Sequence, residues 1–200
     1  MKKTLLLLSS FCVMLVMAQD NTVVLNPDMK VMTQHQVTIK GNRINYTVET
    51  GTQPVWDAAG KPIAYLHYNY YTRNEIKDRS ERPLLISFNG GPGSASVWMQ
   101  LAYTGPRILK VDDEGYPVQP YGIKENPHSV LDVTDILYVN PVNTGYSRMI
   151  PADGKDVDRK LFFGINADIK YLAEWLNTFV TRHNRWLSPK YLIGESYGGT

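Results

Sequence analysis

The sequence predicts an α/β fold, with a central, mostly parallel sheet flanked by helices. Three short apolar runs, Leu84 to Phe88, Ile136 to Val139 and Tyr191 to Ile193, read as strands. Continuous apolar runs of this length suit strands covered on both faces, as in parallel sheets. Between the second and third lies the clearest helical pattern of the chain. Ile165, Ile169, Leu172, Leu176 and Phe179 or Val180 recur at steps of three and four, an apolar stripe expected to pack on the core. Pro189 blocks continuation of that helix. In such sheets, ligands bind beyond the carboxyl ends of the strands.

The elements ahead of these follow in order. Residues 1–18 carry Lys2 and Lys3, an apolar run from Leu5 to Val16, and a small Ala18. This is the pattern of a bacterial-type secretory signal peptide cut after Ala18. About 12 apolar residues fall short of the roughly 20 that a spanning helix needs, so no membrane span is expected after cleavage. The only cysteine, Cys12, lies inside this leader. The mature segment is thus expected to rely on its core, without disulfides, a thiol nucleophile or a cysteine metal site.

The chain of 200 residues has 21 Lys+Arg against 19 Asp+Glu, and Lys2 and Lys3 account for the formal +2. With 43% apolar residues the composition is that of an ordinary globular protein. A disordered chain, a collagen-like repeat and a highly basic nucleic-acid binder are excluded. Residues 19–200 suffice for one domain with a core.

Val37 and Ile39, a Gly41-Asn42 turn, then Ile44, Tyr46 and Val48 read as a β-hairpin. The segment from Thr50 to Pro62 reads as turn-rich, Ile63 to Tyr71 as a further strand, and the charged stretch Arg73 to Arg82 as a solvated connection.

Chemistry concentrates at two glycine-bearing segments. Gly194-Glu195-Ser196-Tyr197-Gly198 directly follows the third apolar run. Gly-x-Ser-x-Gly there is the nucleophile elbow, a sharp strand-to-helix turn that lifts the serine hydroxyl above the sheet. The hydroxyl needs a histidine base oriented by a carboxylate. Acyl transfer also needs two backbone N–H donors aimed at the developing oxyanion. One comes from the residue after the nucleophile, Tyr197; the other comes from the loop after an earlier strand, where Gly90-Gly91 stands. A phosphate-cradling loop is the alternative for Asn89 to Ser96, but it lacks the Gly-x-x-x-x-Gly-Lys spacing and any basic residue. Together the two segments predict an α/β-hydrolase fold.

The resemblance narrows further. Phe88 to Ser96, Gly105-Pro106, Asn126-Pro127, the run Asn140 to Ser147, and Gly194 to Gly199 together resemble the serine carboxypeptidase family, from about Leu84 to Thr200. The resemblance implies removal of residues from peptide or protein C-termini through an acyl-enzyme. It implies Ser196 as nucleophile, Gly91 and Tyr197 as oxyanion donors, and Asn89, Gly90 and Glu195 as binders of the terminal carboxylate. Two carboxyls share a hydrogen bond only if one is protonated, so activity is expected to fall as pH rises. This chain has Ser87 where relatives commonly carry Trp, Ser94 where they carry Cys, and Tyr103 where they carry Glu. The first and last weaken the family's carboxylate-binding network.

His35, His67, His128 and His183 all precede Ser196, whereas the elbow fold places its acid and histidine after the serine. They read as solvated or hydrogen-bonded residues, and Asp132 and Asp135 as loop or strand-end carboxylates. The catalytic Asp and His are expected beyond residue 200, the chain being the N-terminal portion of a longer protein and inactive by itself. No metal or organic cofactor is implied. Two other readings stay open. One is a related hydrolase: an aminopeptidase of the proline iminopeptidase type, an esterase or an acyltransferase. Asn89 rather than His before the loop, and Tyr197 rather than Trp after the serine, tilt against the iminopeptidase. The other is an inactive binding protein that keeps the fold.

Overall fold

The computed structural model describes residues 26–151 and 155–200; the leader expected over 1–18 lies outside them. The alternating residues from Val37 to Val48 do form a hairpin, of β1 (Met29–Ile39) and β2 (Asn42–Trp56). Its turn residues are Lys40 and Gly41, with φ of 48° and 79°, one position earlier than the sequence suggests. Two successive positive φ values match a two-residue turn to the right-handed twist of the strands.

Strand β2 runs through the segment that reads as turn-rich. Tertiary contacts override local preference there. Gln53 is buried and exchanges two 3.0 Å hydrogen bonds with Trp175, Nε2 to the Trp175 carbonyl and Trp175 Nε1 to its own.

The remaining strands are β3 (Pro62–Arg73), β4 (Leu84–Phe88), β5 (Arg107–Leu109), β6 (Ile123–Glu125), β7 (Asp135–Val139), β8 (Arg148–Met149) and β9 (Lys190–Gly194). The main sheet has the order β1-β2-β3-β7-β4-β9, with β8 on β3; β5 and β6 pair separately. The sheet is mixed rather than mostly parallel. β4 pairs parallel with β7 and β9, while β1–β2, β2–β3, β3–β7 and β3–β8 are antiparallel. Tight turns between the long early strands permit only antiparallel pairing, and parallel neighbours need crossovers.

Helix α1 (Ile165–Arg182) is the only α-helix among the described residues, so helices do not flank both faces. It covers one face through Tyr171, Trp175, Phe179 and Val180, packed with Leu84, Ile86, Leu137 and Val139. The opposite face is closed by Val37, Ile39, Ile44, Met99 and Leu131 over Ile136 and Tyr138. The expected stripe is therefore rotated. Ile165 and Ile169 are 55% and 50% exposed, and the larger aromatic row at steps of four takes the core. The helix ends at Arg182, ahead of Pro189, where Asn184 turns left-handed at φ 52°. Strand β9 lies at the sheet edge, with Tyr191 and Leu192 exposed, so this third run is not covered on both faces. No helix among the described residues is long and apolar enough to cross a membrane.

The charged connection before β4 is not simply solvated. Asp135 is fully buried at the start of β7. It accepts from Arg79 Nη1 at 2.7 Å, Arg82 Nε at 2.8 Å and Arg185 Nη1 at 2.6 Å. Arg82 and Arg185 are themselves buried and donate further to the carbonyls of Leu131, Thr134, Arg82 and Pro83. A strand-end carboxylate was the expectation for Asp135; its three guanidinium partners were not.

Candidate active site

The site is built where β4 and β9 end side by side. After Gly194 the chain turns so sharply that Ser196 adopts φ 54°, a left-handed conformation that non-glycine residues rarely take. Only glycine fits at 194, because a Cβ there would lie 1.9 Å from the Gly198 carbonyl oxygen. The turn is closed by Gly198 N–H donating to Glu195 O at 2.9 Å and Thr200 N–H to Tyr197 O at 3.1 Å. Glu195 N–H donates to Phe88 O at 3.2 Å, tying it to the end of β4. The loop after β4 presses on it: a Cβ on Gly90 would stand 2.5 Å from Glu195 O and 2.6 Å from Tyr197 N. This contact brings the Gly90-Gly91 backbone and the Tyr197 N–H together.

Tyr197 lies in the first turn of the short helix Ser196–Gly199, where N–H groups have no intrahelical partner. Among the described residues, Gly91 N–H donates to no backbone carbonyl either. Both N–H groups are open to an external acceptor.

A cavity of about 400 Å³ opens over Ser196, lined by Asn89, Gly91, Ser94, Trp98, Tyr103, Glu195 and Ser196. Asn89 is buried, with Oδ1 accepting from Met99 N–H at 3.0 Å, so the group its side chain still has to offer is the amide NH₂. Among the described residues, Glu195 is the only carboxyl on the wall and no cation lines it. Toward a carboxylate, the groups described there offer a shared proton at Glu195 or neutral donors.

Of the predicted residues, the cavity gathers Ser196, Gly91, Asn89 and Glu195. Gly90 and Tyr197 border instead an apolar groove of about 610 Å³ along α1, with Leu172, Leu176 and Leu192. Burial, and behind it the nearby Asp168, raises the Tyr197 hydroxyl above its ordinary value. Ser87 is fully buried, its hydroxyl without a hydrogen-bond partner, and does not line the cavity. Tyr103 does line it. The four histidines lie elsewhere, His35 against Thr33, His67 against Asn140 and His183 against Glu49, with His128 exposed.

Sequence reasoning missed Trp98, a lone exposed aromatic without pattern. It also missed the support beneath Asn89, whose N–H donates to Ser96 Oγ at 3.4 Å while Ser96 N–H donates to Asn140 Oδ1 at 2.9 Å. Both residues stand inside the quoted motifs, but their roles appear only when the ends of β4 and β7 are adjacent.

Comparison with known proteins gives the family. A family model described as serine carboxypeptidase matches residues 49–200. Serine carboxypeptidase-like 36 of Arabidopsis thaliana is 31% identical over 144 residues, 71% of this chain and 27% of that protein. The retinoid-inducible serine carboxypeptidase of Homo sapiens is 30% identical over 164 residues, 80% of this chain and 32% of that protein. The crystal structure of KEX1(delta)p, a prohormone-processing carboxypeptidase from Saccharomyces cerevisiae, superposes with a TM-score of 0.58 at 25% identity, covering 76% of this chain and 32% of that one. The chain thus spans about a third of the length of these relatives.

Proposed function

Because the chain belongs to the serine carboxypeptidase family, we propose that the whole protein releases C-terminal residues from peptides or proteins through an acyl-enzyme on Ser196. The observation that carries this reading is the cation-free cavity over Ser196, which combines a lone carboxyl, Glu195, with the buried amide of Asn89. It suits a substrate whose scissile bond lies one residue from a free carboxylate.

In this reading the terminal carboxylate accepts from the Asn89 amide and from the backbone at Gly90, and shares one proton with Glu195. Binding weakens as pH rises and that proton is lost. Ser196 Oγ attacks the last peptide carbonyl while its proton passes to a histidine. That histidine and its orienting carboxylate come from the rest of the protein, since the histidines described here lie elsewhere. Gly91 N–H and Tyr197 N–H hold the oxyanion. The C–N bond then breaks, the terminal amino acid departs carrying the proton, and water hydrolyses the acyl-serine.

The leader at residues 1–18 supports export of a bacterial-type protein to the periplasm or medium, with Gln19 as the first mature residue.

The test is hydrolysis by the whole secreted protein of matched peptides with free and amidated C-termini, and with free and blocked N-termini. A free C-terminus should be required, a blocked N-terminus tolerated, and mass spectrometry should read Gln19 first. Equal cleavage of the amidated peptide, or dependence on a free N-terminus, rules the assignment out.

A further inference from the structure

His67 stands in β3 at the corner where β7 ends, and the proposed function leaves it unused. The hydrogen bonds around it determine its chemistry. Asn140 turns Oδ1 to the Ser96 N–H at 2.9 Å, so its amide nitrogen is the atom 3.0 Å from His67 Nδ1. An amide NH₂ only donates; Nδ1 therefore accepts, and the ring proton sits on Nε2.

The pair is clamped by its backbone. Asn140 N–H donates to His67 O at 3.0 Å, and Ser147 Oγ donates to Asn140 O at 2.7 Å while accepting from His67 N–H at 2.8 Å. Beyond Asn140 the connection continues into the site: Ser96 Oγ donates to Val139 O and accepts from the N–H of Asn89.

We propose that His67, as a neutral imidazole, is a positioning residue for the substrate-binding loop, holding Asn140 in the one orientation that fixes Ser96 and, through it, Asn89 beside Ser196. The proposal rests on the reading of Asn89 as a carboxylate binder. Protonating Nδ1 would set an N–H against the Asn140 NH₂. The relief is rotation of that amide, which withdraws Oδ1 from the Ser96 N–H. The ring meets Asn140 and the edge of Tyr146, centroids 5.3 Å apart, with Thr52 opposite on β2. Arg148, on β8, turns its guanidinium to the carbonyls of Gly145 and Ser147. Burial keeps the imidazole below its ordinary value and so favours the neutral form.

The experiment combines nitrogen-15 NMR of the whole protein with steady-state kinetics on free-C-terminus peptides. The expected ring is the Nε2–H tautomer. Asn140→Asp should make His67 hold a second proton to higher pH and shift the amide signals of Ser96 and Asn89. His67→Phe, which keeps an aromatic ring but no acceptor, should raise KM about tenfold, the effect of one lost hydrogen bond, with kcat within about twofold. His67→Asn, whose Oδ1 takes the place of Nδ1 as acceptor, should return KM toward wild type. An Nδ1–H tautomer, unmoved Ser96 and Asn89 signals in Asn140→Asp, or an unchanged KM in His67→Phe overturns the proposal. The spectroscopic arm decides even if His67→Phe does not fold. Absence of carboxypeptidase activity in the unmodified protein would remove the functional reading, and the tautomer and amide signals would still judge the positioning network.

Discussion

Strands β4, β7 and β9 have two ends, and the polar groups gathered at each are treated in opposite ways. At their amino ends a single buried carboxylate, Asp135, is surrounded by three guanidinium groups, and neighbouring carbonyls take further arginine donors. At their carboxyl ends the glycine loop and the elbow leave N–H groups at Gly91 and Tyr197 without backbone acceptors among the described residues, and a serine exposed in a left-handed conformation. Satisfied charge makes the first end a structural anchor. Unspent donors make the second end ready for a developing negative charge.

Removing the charge at the anchored end should have the largest effect. Asp135→Asn leaves two buried arginines facing each other without their counter-ion, and unfolding in urea should show a loss of about 3–5 kcal/mol. A loss below about 1 kcal/mol would mean that the carbonyls alone stabilise the guanidinium groups, and the contrast between the ends would fail.

At the other end, Gly90→Ala forces a Cβ to within 2.5 Å of Glu195 O. It should lower kcat of the proposed carboxypeptidase by about 100-fold, the usual consequence of displacing one oxyanion donor, with a far smaller change in urea midpoint. A variant that lost stability but kept kcat would place Gly90 with the structural end instead.

The smallest effect concerns a second buried acid, Glu49 on β2. Burial acts to raise its carboxyl, but hydrogen bonds from His183 and Tyr68 and the charges of His183 and Lys30 overcome it and hold it at about 2. Stability from this group is complete above its ordinary value near 4.5 and is lost as pH falls toward 2. Lowering the pH from about 4.5 to about 2 should take about 2 kcal/mol more unfolding free energy from the wild type than from Glu49→Gln, read by thermal unfolding. Parallel pH profiles would show that the carboxylate is not the stabilising form.

How much was legible in the sequence follows the same division. The elbow and the glycine loop could be read because close approach forces glycine at particular offsets, and steric requirements of this kind leave a mark in single residues. The hairpin from β1 to β2 was legible through strict alternation. The Asp135 anchor was not, because its members come from positions 79, 82, 135 and 185 and nothing local distinguishes their arginines from solvated ones. The link from His67 to Asn140 spans 73 residues and was hidden for the same reason. The mixed sheet leaves less trace, because short apolar runs are the strongest local signal while the long strands β2 and β3 owe their extent to contacts such as Gln53 with Trp175. On α1 the isoleucines fit the helical periodicity as well as the rings do, and ring packing decides which side faces inward.

The left-handed Ser196 carries a consequence for how such a protein changes over time. Of the non-glycine residues with positive φ, Asn143 and Asn184 are of a type that tolerates the conformation, and Lys40 occupies a hairpin turn. Ser196 has neither excuse, and glycine there would relieve roughly 1 kcal/mol or more of backbone cost. Mutational drift toward stability would therefore erase the proposed nucleophile, so its persistence in a lineage would report selection for chemistry rather than for folding.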